Sequence, residues 1–283
     1  MADGTRFTDI AGYETMTFLQ ETANRDPRLA QTIRTPGYKQ IGGTAFVPPN
    51  LAYTNTGYHM IKFSNDKMYD GMAGYNDFPL FRYAETLLNF AEAKAELGTL
   101  TQNDLDRSIK LLRDRAGMPN IDLAASNTNP DPYLSATATG YPRVSGVNKG
   151  IILEIRRERA IELVMEGFRY WDIMRWKEGK TFEQPFLGFY IPGPGVYDLD
   201  GDGKNDVCFY IGERTPAFVS LFMEMGKDIV FTEGDKGNII LHSQLLREWR
   251  EDRDYFYPIP TQERTLTHGA LAQNPGWVDG LNF

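Results

Sequence analysis

Apolar residues recur at helical spacing in two successive stretches of the first half of the chain. In FPLFRYAETLLNFAEAKAELG they form one continuous stripe, made of Leu80, Ala84, Leu87, Leu88, Ala91 and Ala95. Thr101 and Asp104 then have the spacing of a capping box, and a second stripe follows in Leu105, Ile109, Leu112 and Ala116. Gly98 and Gly117 are placed to end the two helices. The pattern predicts an antiparallel helical hairpin of the kind found in TPR-like stacks.

A third helix is predicted to begin between Lys149 and Ile151 and to continue through RRERAIELVMEGFRYWDIMRW. Every fourth residue is a glutamate, which gives an acidic ridge of Glu154, Glu158, Glu162 and Glu166. Such a ridge repels itself unless cations offset it, and the predicted partners on the two preceding helices are Arg82, Arg113 and Arg115. A di-metal bundle would need Glu-x-x-His motifs, and no histidine lies between His59 and His242. We therefore predict an ionic scaffold rather than a metal or catalytic site.

The other stretches have weaker patterns. Residues 1–77 and 120–149 are predicted to be mostly irregular, and GFYIPGPGVYDLDGDGKNDVCFYIG is predicted to form short strands around Gly- and Asp-rich turns. Short helices are predicted near AFVSLFMEM and SQLLREWRED, followed by an extended tail. The predicted fold class is mainly α, with TPR-like helical hairpins, long irregular loops and a few short β-strands.

The stretch DLDGDGKND matches the first half of an EF-hand calcium loop. Its candidate ligands are Asp198, Asp200, Asp202, the Lys204 carbonyl and Asp206. The last ligand of such a loop should be a glutamate, but that position is Phe209, and the flanking residues have strand character. Two interpretations therefore stay open: a structural calcium loop outside the EF-hand fold, or a Gly/Asp hairpin turn without an ion.

Composition and missing motifs exclude several classes of function. The net charge of −8 argues against a general nucleic-acid-binding face. Cys208 is the only cysteine, so no intrachain disulfide forms, and no apolar run is long enough for a transmembrane helix. The sequence contains no complete phosphate-binding or nucleophile motif. These observations favour a binding protein. A glycoside hydrolase stays open as an alternative, because the separation of its two carboxylates depends on the three-dimensional structure.

Five stretches resemble, in order, the C-terminal part of the SusD/RagB family: NRDPRLAQTI, FPLFRYAETLLNFAEAKAELG, IKLLRDRAGMP, EIRRERAIELVMEGFRYWDIMRW and FYPIPTQERTLTHGALAQNPGW. The resemblance runs from about Arg25 to Trp277. Members are outer-membrane lipoproteins on the cell surface of Bacteroidetes, and they capture nutrients, usually glycans. The resemblance implies a TPR-like scaffold whose long loops build the ligand site and contact a TonB-dependent, SusC-like transporter.

The same resemblance implies that residues 1–283 are the C-terminal part of a SusD/RagB-like domain. In the family, a segment like Met1 to Gly4 lies inside the chain, after an N-terminal half that carries the signal peptide, the lipidated cysteine and the first TPR-like helices. We therefore expect Met1 to be an internal methionine and the membrane anchor to lie outside this chain.

The predicted function is binding of an oligosaccharide at the cell surface and its delivery to the transporter, without enzymatic activity. The predicted ligand residues belong to a tyrosine-rich loop, since aromatic rings stack on sugar faces, and they are Tyr53, Tyr58, Tyr69 and Tyr75. Peptide capture, as in RagB-like proteins, and glycoside hydrolysis are the alternatives.

Overall fold

The computed structural model describes residues 1–66, 77, 79–214 and 216–281. Helices account for 32% and strands for 10%, which confirms a mainly helical fold with a few short strands. The helices are α1 Phe18–Glu21, α2 Arg28–Thr32, α3 Tyr83–Glu96, α4 Gln102–Asp106, α5 Ile109–Ala116, α6 Leu123–Thr128, α7 Pro132–Ser135, α8 Lys149–Glu162, α9 Phe168–Trp176 and α10 Thr261–Leu266. The strands are β1 Phe186–Ile191, β2 Gly195–Tyr197, β3 Val207–Tyr210, β4 Leu221–Glu224 and β5 Gly237–Leu241, and 3-10 turns cover Phe7–Asp9, Tyr13–Thr15 and Gly179–Glu183.

The helical core forms where α3 and α5 pack against α8. The two apolar stripes are buried in this core as predicted, with the exception of Leu80, which precedes α3 and is 77% exposed. The predicted capping box is also confirmed, since the Asp104 amide donates to the Thr101 hydroxyl at 3.2 Å. The second predicted helix is divided into α4 and α5, because Ser108 leaves the helical conformation and its hydroxyl donates to the Asp104 carbonyl at 2.6 Å.

The third predicted helix is also two helices rather than one. It ends at Glu162, and α9 begins again at Phe168. Met165 and Gly167 both have positive φ angles between the two helices, and this left-handed backbone interrupts the helical conformation. Glu166, the last member of the acidic ridge, therefore lies in a turn.

Short strands and a second core make up the other part of the fold. β1 pairs with β5 in an antiparallel ladder, while β3 lies between β2 and β4. The strands predicted around the Asp-rich turn are confirmed, but the helix predicted near AFVSLFMEM is wrong: this stretch contains β4, parallel to β3. The core of this part includes the aromatic rings of Phe18, Phe189, Phe209 and Phe231.

Three further predictions of local structure are corrected. Residues 120–149 contain α6 and α7, which start directly after Asp122 and Asp131 because these aspartates accept hydrogen bonds from the first-turn amides. The stretch SQLLREWRED is formed of turns and irregular backbone rather than a helix. The tail is not fully extended, since it contains α10.

Candidate functional site

The acidic ridge on α8 is the centre of a buried ionic network. Glu158 is fully buried and accepts from the Arg28 Nη1 at 2.6 Å and from the Arg113 Nε at 2.8 Å. Arg28 in turn donates to Asp26 in a bidentate pair at 3.0 and 2.7 Å. Arg113 was a predicted partner, whereas Arg28 was not, because it lies in a one-turn helix 130 residues away in sequence.

The rest of the ridge is paired in the same way. Glu162 accepts from Arg82 and Arg115, each at 2.7 Å, which confirms both predicted partners. Glu166 accepts from Arg82 at 2.6 Å and from Lys62. Burial alone would raise the pKa of Glu162, but the hydrogen bonds from its arginine partners outweigh burial and lower it. The cation partners lower the pKa of Glu166 in the same way, so Glu162 and Glu166 are held ionised. The ion pairs of the ridge join separate segments of the chain, as the prediction of an ionic scaffold requires.

The tyrosine-rich loop places its described members in different environments. Tyr53 is 83% exposed at a turn, with its amide donating to the Asn50 carbonyl at 3.0 Å. Tyr58 is partly buried, its ring packs near Phe18 and Phe189, and its hydroxyl donates to the Glu21 carboxylate at 3.0 Å. Tyr69 and Tyr75 lie outside the described residues. The assignment of these four tyrosines to ligand binding stays a prediction. Of the two that the structure describes, Tyr53 is the one whose exposed ring could contact a ligand.

Glu21 beneath this loop titrates unusually. Burial raises its pKa from 4.5 to about 7, against the lowering effects of the Tyr58 hydrogen bond and the Arg25 charge. The fold thus favours the neutral form of the Glu21 carboxyl.

We expect the free energy of unfolding to fall as the pH rises from about 4.5 to about 7, because the folded state keeps a proton on Glu21 that the unfolded state releases. This contribution, about 1–3 kcal/mol, is fully present below the unfolded pKa and lost above the folded pKa. Glu21→Gln should remove it, and urea unfolding at pH 5 and pH 8 measures the difference. The exposed Glu14→Gln is the matched control; an equal change in pH dependence for both variants would contradict the expectation.

The Asp-rich loop joins β2 to β3 and brings three predicted ligands together. One carboxylate oxygen each of Asp198, Asp200 and Asp206 lies within 4.8 Å of the others. Asp202 points instead to Lys204, whose amide and Nζ both donate to it at 2.8 Å. Burial, followed by neighbouring carboxylates, raises the pKa of Asp200. The loop is therefore a strand connection that also clusters three carboxylates, and both interpretations of the sequence stay open.

A cleft of about 670 Å³ lies elsewhere, with neither Tyr53 nor Tyr58 in its lining. Its walls come from residues 1–26, 113–134 and 154–161, and we call it the Tyr133 cleft. The volume is within the range of small-ligand sites, roughly 300–1,000 Å³. The sequence offered no signal for it, because its three stretches meet only in the folded chain.

The fold and these sites define a class: a helical scaffold, held by buried ion pairs, that carries loops and clefts on its surface. In the part of the chain that the structure describes, no helix is long and apolar enough to span a membrane. The chain belongs to the SusD family, whose model matches residues 1–277, and this confirms the resemblance seen in the sequence.

Individual relatives match over part of their length. SusD-like protein P38 of Formosa agariphila is 33% identical over 111 residues, which are 38% of this chain and 19% of that protein. A SusD-like carbohydrate binding protein from Bacteroides fragilis has a TM-score of 0.56 at 25% identity, over 94% of this chain and 45% of the relative. Another SusD-like protein from Bacteroides fragilis shares the fold, with a TM-score of 0.57 at 20% identity, over 98% of this chain and 45% of the relative. The chain thus spans less than half the length of these relatives.

Proposed function

We propose that this chain is part of a cell-surface protein that captures a glycan and delivers it to a SusC-like, TonB-dependent transporter. The observation that carries the proposal is the SusD family match over residues 1–277. A similar solved structure is described as a SusD-like carbohydrate binding protein, which supports saccharide as the ligand class. The protein would be held at the outer membrane by a lipid anchor outside this chain and would release its ligand unchanged.

The architecture supports a binding role on physical grounds. Charge-assisted bonds join α8 to α2, to α5 and to Arg82, which directly precedes α3. The helices thus form a rigid base, and we propose that they belong to a TPR-like stack. Ligand residues are disproportionately found on loops held by such a rigid base. In this chain, the tyrosine-rich loop and the Tyr133 cleft are the features placed to act in this way.

Binding to a panel of soluble polysaccharides, with a peptide mixture as a further ligand, tests the proposal. We expect retention by a polysaccharide in affinity electrophoresis, and about two- to tenfold weaker binding after Tyr53→Ala, the loss of one ring contact. Tyr257→Ala removes another exposed tyrosine ring, 63% exposed, and should leave binding unchanged. If the protein binds peptides alone, peptide capture replaces glycan capture as the proposal. If reducing sugar is released during incubation, glycoside hydrolysis replaces it.

We also propose that the Asp198–Asp206 loop binds calcium in a structural role. Three clustered carboxylates repel each other unless a cation offsets them, and calcium prefers carboxylate and carbonyl oxygens. Calcium at about 100 times its Kd should then stabilise the fold by about 2.7 kcal/mol, measured as a rise in Tm. Asp200→Asn should abolish the rise, whereas Asp202→Asn should retain most of it because Asp202 already pairs with Lys204. If calcium does not change the Tm, the loop is a Gly/Asp hairpin turn without an ion.

A further inference from the structure

The Tyr133 cleft presents aromatic rings to a ligand. Phe7 and Tyr13 meet edge to face with ring centroids 5.6 Å apart, and the Arg25 guanidinium lies 4.1 Å from the Phe7 centroid. Tyr133 lines the cleft from α7 and is 44% exposed. A partly exposed ring in a concave site offers a flat apolar face together with a polar hydroxyl.

The charged side chains of the cleft balance. Four arginines and four carboxylates line it: Arg6, Arg25, Arg113 and Arg157 with Asp26, Asp122, Asp131 and Glu154. Their formal charges sum to zero, 4 − 4 = 0, so these side chains favour neither an anionic nor a cationic ligand. A phosphate or polyuronate would need an excess of cationic side chains, which this lining lacks.

Ion pairs hold these groups in fixed positions. Arg157 pairs with Asp131 and donates to Glu154 at 3.1 Å, and Arg6 lies 3.5 Å from Asp131 and also donates to the Asn129 carbonyl. Asp131 is almost fully buried. Because a guanidinium has five N–H donors, Arg6 and Arg157 keep donors beyond these pairs. The cleft therefore offers donors and acceptors that are already oriented.

We propose that the Tyr133 cleft binds an uncharged oligosaccharide, with the rings of Tyr13 and Tyr133 against sugar faces. The inference rests on the proposed function and adds a location and a ligand class to it. An uncharged saccharide combines apolar C–H faces with hydroxyl groups that both donate and accept. It therefore matches a cleft that combines aromatic rings with charge-balanced arginine and carboxylate side chains, and Arg6 and Arg157 would donate to its hydroxyl groups.

Calorimetric titration of the protein with glycans of both kinds tests the inference. Soluble starch, xyloglucan and galactomannan are the uncharged probes, alginate and polygalacturonate the acidic ones, and a casein digest is the peptide probe. We expect the strongest ligand to be uncharged, with binding about two- to tenfold weaker after Tyr133→Ala. Tyr133→Phe keeps the ring and should bind nearly as the wild type does. Phe218→Ala, which removes a fully exposed ring elsewhere, should bind equally well.

The outcomes separate the two proposals. If the wild-type protein binds none of the glycans, the proposed function fails and the inference fails with it. If an uncharged glycan binds but Tyr13→Ala and Tyr133→Ala, both folded by circular dichroism, bind it with wild-type affinity, the inference alone is overturned. Preference for an acidic glycan or for peptide would also overturn it. Weaker binding in both variants, with an unchanged Phe218→Ala, supports it.

Discussion

Replacing Glu158 by alanine is expected to lower the free energy of unfolding by about 3–5 kcal/mol. The carboxylate is fully buried, and its two oxygens accept from Arg28 and Arg113. Removal leaves two guanidinium groups short of their partner in a site that water reaches poorly. Since uncompensated buried charge costs several kcal/mol, the loss of unfolding free energy should exceed that caused by a substitution at an exposed residue. Urea unfolding at neutral pH measures it.

Two further variants make this result specific. Asp114→Ala breaks the exposed pair with Lys110, and its expected cost is below about 1 kcal/mol because water screens exposed charges. Glu158→Gln keeps a hydrogen-bonding oxygen but not the charge, and it should fall between the two. Equal costs for Glu158→Ala and Asp114→Ala would show that the buried network contributes no more than a surface ion pair.

Much of the helical scaffold could be predicted because its signals are local and periodic. The stripe on α3 and the ridge on α8 were both predicted from side chains that repeat at helical spacing. Because closely spaced carboxylates need cationic partners, the ridge also predicted its pairing with Arg82, Arg113 and Arg115. In the sequence, Leu80 continues the apolar stripe. In the structure, α3 begins only at Tyr83, so Leu80 lies outside the helix and is exposed rather than buried in the core. Helix boundaries depend on tertiary contacts and were therefore predicted less well than the helices.

The site depends on long-range contacts, and these leave little trace in sequence. Arg28 reaches Glu158 across 130 residues, and the Tyr133 cleft joins residues from three separate stretches. The Asp-rich loop is the exception, since its candidate ligands lie within nine residues and the clustering of three of them was predicted from spacing alone. Tyr58 shows that a tyrosine-rich composition does not by itself identify exposed, ligand-binding rings. It belongs to the tyrosine-rich loop, yet its ring packs against the second core.

Replacing Phe189 by alanine should also be costly, by about 3–5 kcal/mol, and should act on the tyrosine-rich loop. The ring is fully buried and lies 5.1 Å from that of Phe18 and 6.3 Å from that of Tyr58, centroid to centroid. It also covers Gly57 so closely that a Cβ there would come within 2.0 Å of it. The cavity left by the ring would thus open directly beneath the loop.

Hydrogen exchange and urea unfolding of Phe189→Ala together test both parts of this expectation. Amides of residues 56–59 should exchange faster in the variant, because the ring that covers this turn is lost, while the Phe189 amide still donates to the Thr56 carbonyl at 3.2 Å. Amides of α8 belong to the other core and should respond only through the global loss of stability. Phe218→Ala, at a fully exposed ring, should change neither measurement. If exchange in α8 rises as much as in the loop, the ring stabilises the whole fold and has no special role beneath the tyrosines.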